Sequence, residues 1–152
     1  MLRRATEGEI PAVAALIAAH PLALLQQSEE WLRDLAEAEG VLVWDRNGVA
    51  GFATLEWAYP EVVYLFNLGV AETGCGAGRA LIRAVQDHVF GTMGAHRLAC
   101  DVVVDNPAAL RVFEGAGFVR EGMMRECWQR EPGVWVDCHA LSMLAREWRA
   151  RG

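Results

Sequence analysis

Asn67–Leu81 reads NLGVAETGCGAGRAL, and this stretch decides how the chain is expected to fold. The stretch begins within an apolar run, VVYLFNLGV, that is typical of a buried strand. It ends within GRALIRAVQDHVF, which has helical periodicity, so the stretch is predicted to join a strand to a helix. Gly74, Gly76 and Gly78 let the backbone turn tightly and keep its N–H groups clear of side chains. At a helix N-terminus those N–H groups add to the positive end of the helix dipole, so the loop is a candidate anion cradle.

Two familiar nucleotide-binding motifs do not fit this loop. A Walker loop ends in Gly-Lys-Ser/Thr, whereas Gly78 is followed by Arg79 and Ala80. The dinucleotide fingerprint needs Gly or Ala at its last position, which is Arg79 in one frame and Leu81 in the other. A tight strand-to-helix turn with no ligand stays an alternative when the loop is read alone.

Length and composition narrow the class of protein. The chain has 152 residues and is 53% hydrophobic, which predicts one domain over residues 1–152 with a full core. A net charge of −6 argues against a nucleic-acid partner bound to a basic face. No apolar window reaches signal-peptide or membrane-spanning length, so we expect no membrane partner and a cytoplasmic location. The four scattered cysteines are expected to be reduced, and the lack of metal-ligand spacing predicts no metal.

The remaining patterns predict the element order β-α-α-β-β-β-α-β-α-β-β. Strands are predicted over residues 1–5, 41–45, 49–57, 61–70, 96–104, 118–129 and 134–144. Helices are predicted to begin at the Thr6/Glu9 capping box, at Ser28, at Gly78 and at Asn106. Residues 22–27 are expected to be an apolar connector between the first two helices. The predicted fold class is α+β, with a mixed sheet and helices packed against it.

Three separated segments together resemble the GNAT family of acyl-CoA-dependent N-acetyltransferases. They are residues 70–81, the Leu98-x-x-Asp-Val run and residues 106–118. The family's loop runs Arg/Gln-x-x-Gly-x-Gly/Ala, and Thr73, Gly76 and Gly78 fall on it. The family's second signature, Asn-x-x-Ala followed by an aromatic residue and then Gly-Phe, is met by Asn106, Ala109, Phe113, Gly117 and Phe118. The pattern is most similar to the branches that acetylate ribosomal-protein N-termini.

The resemblance implies a three-layer fold with a mostly antiparallel central sheet of about six to seven strands, and a coenzyme A site. It implies an acetyl-CoA-dependent N-acetyltransferase in which a primary amine attacks directly within a ternary complex. The acceptor would be a protein N-terminus, a polyamine or an amine-bearing small molecule. The residues implied at the cofactor site are Leu68, Gly69, Val70, Thr73, Gly74, Cys75, Gly76, Ala77, Gly78, Arg79, Ala80, Asn106 and Phe113. Gly69 is expected to be a bulge or a position of close approach.

Acetyl transfer requires a neutral amine, and an alkyl ammonium has a pKa of about 10, so a base is needed near pH 7. Asp101 lies five residues before Asn106, where the alanine N-acetyltransferases carry a catalytic glutamate, and is therefore the first candidate base. An ion pair between Asp101 and a neighbouring Arg is the alternative. Glu61 and Glu56, near strand ends, are weaker candidates for the same role.

Phe113 departs from the family, which often has a tyrosine there as the general acid for the leaving thiolate. Phenylalanine has no proton to give. The two tyrosines, Tyr59 and Tyr64, are expected to lie elsewhere. An acyl-CoA-binding module with little or no transferase activity is therefore the alternative function. The exposed part of the last hairpin makes a homodimer possible.

Overall fold

The computed structural model describes residues 1–151. Within them the strands form a seven-stranded sheet in the order β1-β2-β3-β4-β5-β7-β6. The strands are β1 (Leu2–Arg4), β2 (Val41–Asp45), β3 (Val49–Tyr59), β4 (Val62–Val70), β5 (Arg97–Val103), β6 (Val119–Glu131) and β7 (Val134–Leu144). The helices are α1 (Ile10–Ala18), α2 (Glu29–Glu37), α3 (Ala77–Gln86), α4 (Pro107–Gly115) and α5 (Ala145–Ala150). A 3-10 turn over Glu7–Glu9 precedes α1, and α3 continues as a π-helical segment over Asp87–Thr92.

Helices cover both faces of the sheet because successive strand residues point to opposite sides. On β2, Val41 and Val43 pack with α1 and α2, whereas Leu42 packs with α3. On β3, Phe52 packs on the face covered by α1 and α2, and Ala53 packs on the face covered by α3. The predicted three-layer fold with a mixed, mostly antiparallel sheet is confirmed.

The strands β4 and β5 are parallel, and their hydrogen-bonded pairing stops before either strand ends. Their register runs from Val62 opposite Arg97 to Leu65 opposite Cys100. Beyond this point β4 continues to Val70, paired only with β3, while β5 continues beside β7. A parallel pair needs a long crossover, which α3 supplies. The parting opens a gap in the sheet directly beside the glycine loop (residues 71–76).

A β-bulge in β4 lies at Phe66. Thr54 pairs with Asn67 and Leu55 pairs with Leu65, so Phe66 is the extra residue. Gly69 pairs regularly with Phe52, and the bulge interpretation of Gly69 is therefore wrong. The close-approach interpretation is confirmed, because a Cβ on Gly69 would lie 2.8 Å from Cε1 of Phe52. Bulge position depends on the register with the neighbouring strand, which a local pattern does not contain.

The local start and stop signals are confirmed where they were predicted. The Thr6 N–H donates to the Glu9 carboxylate, and Ser28 Oγ accepts from the N–H of Trp31. The last element that the sequence predicts is the strand over residues 134–144, and helix α5 follows it in the structure. The carboxylate of Glu147 accepts from the N–H of Leu144 at 2.8 Å and caps this last helix.

The cysteines correct one prediction. Cys127 and Cys138 form a disulfide across the β6–β7 hairpin, so the expectation that all four are reduced is wrong for this pair. An irregularity of β6 between Met124 and Trp128 brings Cys127 beside its partner, and no sequence spacing indicated it. Cys75 and Cys100 are free thiols. No helix within residues 1–151 combines the length and apolarity needed to span a bilayer.

Candidate active site

A cleft of about 700 Å³ occupies the gap between β4 and β5. Its walls come from β4, the glycine loop, α3, β5, α4 and the α1–α2 connector (residues 19–28). The predicted cofactor residues that line it are Leu68, Gly69, Val70, Thr73, Gly74, Gly76, Gly78, Arg79, Asn106 and Phe113. Cys75, Ala77 and Ala80 belong to the same loop and helical turn without lining the cleft.

The glycine loop forms an open cradle at the start of α3. Gly74 and Gly76 have φ of +84° and +77°, a left-handed conformation that L side chains rarely adopt. Gly76 is the N-cap of α3 and contributes no side chain, so the N–H groups of the first turn have no intrahelical acceptor. A Cβ on Gly74, Gly76 or Gly78 would meet nothing within 4 Å. The loop therefore has both free donors and room in front of them.

Helix α4 supplies the opposite wall of the cleft. Asn106 caps it, because its Oδ1 accepts from the N–H of Ala109 at 3.2 Å. Phe113, also on α4, meets Phe118 edge-to-face, with ring centroids 5.3 Å apart. Phe113 fills the cleft wall with a ring that has no hydroxyl, as its side-chain type requires.

Asp101 lies where the two strands part, and Tyr64 holds it. The Tyr64 hydroxyl donates a hydrogen bond to Oδ2 of Asp101. Burial raises the pKa of the Asp101 carboxyl, and the hydrogen bond from Tyr64 lowers it again in part. Burial, and then the bond to Asp101, raise the pKa of the Tyr64 phenol well above its ordinary value. The pair therefore has a carboxylate more basic than usual and a phenol that keeps its proton.

Tyr64 does not occupy the position of Phe113, but it lies beside the site, bonded to Asp101. The parallel register places Tyr64 opposite Ala99, two residues before Asp101 on β5, so both side chains share one face of the sheet. The two residues are 37 positions apart, and only the register of β4 against β5 brings them together. Tyr59 is 70% exposed at the far end of β3, as expected.

The two weaker base candidates do not line the cleft. Glu61 lies at the other end of β4, where its carbonyl oxygen accepts from the N–H groups of His96 and Arg97. Glu56 is exposed on β3, opposite Tyr64 in the register. The structure thus brings Asp101, but neither glutamate, to the cleft.

A second, small cavity of about 30 Å³ adjoins the cleft on the side of Asp101. Asp101 and Asn67 line both cavities. The small cavity is lined by Ala23, Leu25, Tyr64, Phe66, Asn67, Asp101, Val103 and Trp128. Trp128 reaches this cavity from β6, after the irregular pairing between Met124 and Trp128, and no local sequence pattern indicates its place there.

The α1–α2 connector is held over this cavity by buried polar contacts. Asn67 Oδ1 accepts from the N–H of Leu25 at 3.0 Å, and its Nδ2 donates to the Leu25 carbonyl and to Gln27 Oε1. Thr54 Oγ1 also donates to Gln27 Oε1, at 2.9 Å. The connector is therefore tied to both β3 and β4, which apolar patterning alone did not indicate.

Arg130 of β6 forms hydrogen bonds to two other segments of the chain, the connector and the residues before α4. Its Nη1 and Nη2 each donate to the Asp105 carboxylate at 2.9 Å. Nη2 also donates to the carbonyl of Leu22 at 2.7 Å. One guanidinium thus joins the last hairpin, the start of α4 and the connector. Within residues 1–151 no group of three or more His, Cys, Asp and Glu side chains is placed to hold a metal ion.

Comparison with known proteins identifies the family that this geometry suggests. The acetyltransferase (GNAT) family model matches residues 10–118, and the chain belongs to this family. A probable N-acetyltransferase of Bacillus subtilis (strain 168), YjcK, is 35% identical over 96 residues, which is 63% of this chain and 52% of that protein. The chain spans about half the length of the curated relatives it matches.

Solved structures show the same fold. Spermidine N-acetyltransferase from Vibrio cholerae, in complex with CoA and spermine, superimposes with a TM-score of 0.80 at 20% identity, covering 98% of this chain and 97% of that one. Ribosomal-protein-alanine N-acetyltransferase from Brucella melitensis gives a TM-score of 0.78 at 24% identity, covering 95% and 99%. The predicted GNAT-like acyl-CoA N-acyltransferase fold is thereby confirmed.

Proposed function

We propose that the protein is an acetyl-CoA-dependent N-acetyltransferase acting on a primary amine, with one catalytic domain over residues 1–152. The observation that carries the proposal is the continuity of the cleft. One cavity connects the glycine cradle with the half-buried carboxylate of Asp101. Donor binding and proton removal are thus possible in a single ternary complex.

The residues of the cleft fit coenzyme A. The open cradle at Gly74–Gly78 offers backbone donors and a helix N-terminus to the pyrophosphate. Arg79, which also lines the cleft, adds a cation for phosphate. Leu68, Gly69 and Val70 present strand backbone beside the gap, where the pantetheine arm would lie. Acetyl-CoA, when bound, supplies the thioester whose acetyl group is transferred.

Asp101 is the proposed base. Because burial raises the pKa of its carboxyl, it attracts the proton of an incoming ammonium more strongly than an exposed aspartate would. Tyr64 occupies Oδ2, which leaves Oδ1 for the amine. Once Asp101 holds one proton, the neutral amine nitrogen would attack the thioester carbonyl, and as the C–S bond breaks the nitrogen would lose its second proton to water. Phe113 has no proton to give, so water protonates the departing thiolate.

The rival function is an acyl-CoA-binding module with little transferase activity, which Phe113 favours. Release of free thiol from acetyl-CoA in the presence of a panel of primary amines separates the two. We expect release with at least one amine, and a 1:1 ratio of thiol to acetylated amine by mass spectrometry. Tight coenzyme A binding without release across peptide, polyamine and small-molecule amines would support the rival.

The base assignment has its own test in the same assay. Asp101→Asn should lower kcat/KM by about 10²-fold or more at neutral pH, because general base catalysis contributes on that order. Coenzyme A affinity, measured by calorimetry, should stay nearly unchanged. Glu61→Gln and Glu56→Gln are matched controls, since each removes a carboxylate outside the cleft, and both should retain wild-type rates. An unaffected Asp101→Asn would end the assignment.

A cytoplasmic location and a homodimer belong to the same proposal. Strand β6 is the edge of the sheet, and Met123 and Trp135 on the last hairpin are more than half exposed. Two such edges related by a two-fold axis are able to pair with each other.

A further inference from the structure

Two walls of the cleft come from distant parts of the chain. The α1–α2 connector contributes His20, Ala23 and Leu24, and the start of α4 contributes Asn106 and Ala108. Among residues 1–151, no hydrogen bond runs directly from the connector to α4 or to the turn before it. The spacing of the two walls therefore depends on what links each of them to the rest of the molecule.

The Arg130 guanidinium links both walls, at residues that adjoin the lining ones. Its Nη2 donates to the carbonyl oxygen of Leu22, the residue before Ala23, at 2.7 Å. Its Nη1 and Nη2 each donate to the carboxylate of Asp105, the residue before Asn106, at 2.9 Å. A guanidinium suits this bridge, because its planar fork holds the donors in fixed directions.

The bridge is shielded from solvent at the arginine end. The Arg130 side chain is 12% exposed, whereas the Asp105 side chain is 61% exposed. The ion pair alone would be weak, because solvent screens an exposed carboxylate. The bond to the Leu22 carbonyl adds to it, and a largely buried guanidinium that lost its acceptors would not regain full hydration.

The β6–β7 hairpin, and not the cleft, supports Arg130. Cys127, three residues earlier on β6, is disulfide-bonded to Cys138 of β7. The N–H of Glu126 donates to the Asp137 carboxylate at 2.8 Å, which ties the same part of β6 to β7 a second time. Arg130 lines neither the cleft nor the small cavity. It therefore acts on the walls from a cross-linked strand without touching a ligand between them.

We propose that Arg130 is a positioning residue that sets the width of the cofactor cleft by holding the connector and the start of α4 together. The inference rests on the proposed function, because it takes coenzyme A as the ligand between these walls. Without the bridge, residues 20–24 of the connector can move away from α4, although Asn67 still holds Leu25. Coenzyme A would then lose contacts along one wall.

The proton-accepting end of the cleft does not depend on this bridge. Asp101 and Tyr64 meet through the register of β4 against β5, in which Arg130 takes no part. Loss of Arg130 should therefore weaken the binding of coenzyme A and leave kcat close to the wild-type value once acetyl-CoA and amine are saturating. Asp101→Asn should do the opposite, lowering kcat and retaining affinity.

Arg130→Met tests the proposal, because methionine keeps an aliphatic stem and has no donors. The dissociation constant of coenzyme A, measured by calorimetry, should rise about tenfold, as expected for hydrogen bonds to a charged group. Arg97→Met is the matched control. Arg97 forms an ion pair of 2.6 Å with Glu121, is also partly exposed, and lies outside the cleft, so its loss should leave the affinity unchanged.

Asp105→Ala distinguishes the bridge from a general loss of stability. It removes one acceptor of Arg130 and leaves the bond to Leu22, so affinity should fall by less than in Arg130→Met. Combining the two substitutions should cause no loss beyond that of Arg130→Met, because both act through one contact. Fully additive losses would mean that each substitution weakens the site independently, which would contradict the bridge.

Cys100 provides a readout that does not require catalysis. Its free thiol lines the cleft and is 2% exposed, so N-ethylmaleimide should alkylate it slowly in the wild-type protein. Peptide mass spectrometry should find about tenfold faster alkylation in Arg130→Met, because the rate follows the population of molecules with an opened cleft. Cys75 is exposed and serves as the internal reference for reagent activity.

The outcomes separate this inference from the proposed function. Faster alkylation of Cys100 in Arg130→Met, with no thiol release from acetyl-CoA in either protein, would contradict the transferase and support the bridge. Unchanged alkylation in a folded Arg130→Met variant would overturn the inference, and so would unchanged affinity for coenzyme A or equal effects in Arg97→Met.

Arg130→Lys keeps the proposal testable if circular dichroism shows that Arg130→Met does not fold. Lysine retains the charge and loses the planar fork, so it cannot reproduce all three contacts in their present geometry. Affinity and alkylation should change in the same direction as in Arg130→Met, by a smaller factor. Wild-type values for both quantities in Arg130→Lys would then overturn the inference.

Discussion

Tyr64 is the residue on which the behaviour of Asp101 depends. Its single hydroxyl proton is directed at Oδ2 of Asp101, and the phenol keeps that proton because burial raises its pKa. The bond favours the ionised form of the carboxyl and so offsets part of the effect of burial. In the proposed mechanism, Tyr64 acts through Asp101 as a positioning residue.

Tyr64→Phe should move the acidic limb of kcat/KM to higher pH. Removing the hydrogen bond raises the pKa of Asp101, and the base works only when ionised, so more alkaline solution is needed to ionise it. Tyr64 from β4 is the side chain bonded to Asp101, and Cys100 and His20 also line the cleft. Below the limb the rate should fall by about tenfold, as expected for losing a bond to a charged group.

Tyr59→Phe is the matched control for this profile, because Tyr59 is exposed far from the cleft. Rates of both variants are measured across pH with one amine, and circular dichroism checks the fold. A uniform loss of rate at every pH in Tyr64→Phe would mean that the tyrosine only supports packing.

The glycine loop acts at the scale of an element, because its backbone conformation and the start of α3 create the cradle together. Gly76 has φ of +77° and is followed directly by the first helical residue, Ala77. A side chain at Gly76 meets no neighbour, so substitution there acts through the backbone.

Gly76→Val should weaken coenzyme A binding by tenfold or more, as measured by calorimetry, because a β-branched residue disfavours the left-handed conformation at a cost of about 1 kcal/mol or more. Gly48→Val is the matched control. Gly48 has φ of +124° in the β2–β3 turn, and its Cβ also meets no atom within 4 Å. Both variants should lose thermal stability, and Gly76→Val alone should lose affinity. Equal affinity in the two folded variants would refute the cradle.

The elements that the sequence predicts well are those specified by neighbouring residues. The loop over Gly74–Gly78 and the Asn106 cap depend on local conformation and appear in the structure as predicted. The pairing of Tyr64 with Asp101 was missed, because it depends on where a parallel strand stops pairing. The bulge at Phe66 was missed for the same reason, since it exists only relative to β3.

At the scale of the whole molecule, the last hairpin carries several exposed apolar side chains. Val119, Met123, Met124, Val134 and Trp135 are all between 39% and 57% exposed. Strand β6 has a free edge throughout, because it is the terminal strand of the sheet. An exposed apolar edge of this kind favours pairing with a second copy.

Sedimentation equilibrium should therefore detect a homodimer at micromolar concentration. Trp135→Glu should raise its dissociation constant by about tenfold or more, because a buried aromatic side chain often dominates an interface. Trp57→Glu is the control, since Trp57 is 47% exposed on β3, outside the hairpin. A wild-type protein that stays monomeric at high micromolar concentration would contradict the prediction.

The early parting of β4 and β5 has a consequence for how this chain can evolve. Beyond Leu65 and Cys100, one wall of the gap is strand backbone, and its N–H and C=O groups are the same whatever residues occupy β4. Mutational drift can therefore replace the side chains along Leu68–Val70 and leave the hydrogen-bonding capacity of that wall intact. A ligand held through the main chain of this wall would leave the side chains of β4 free to diverge.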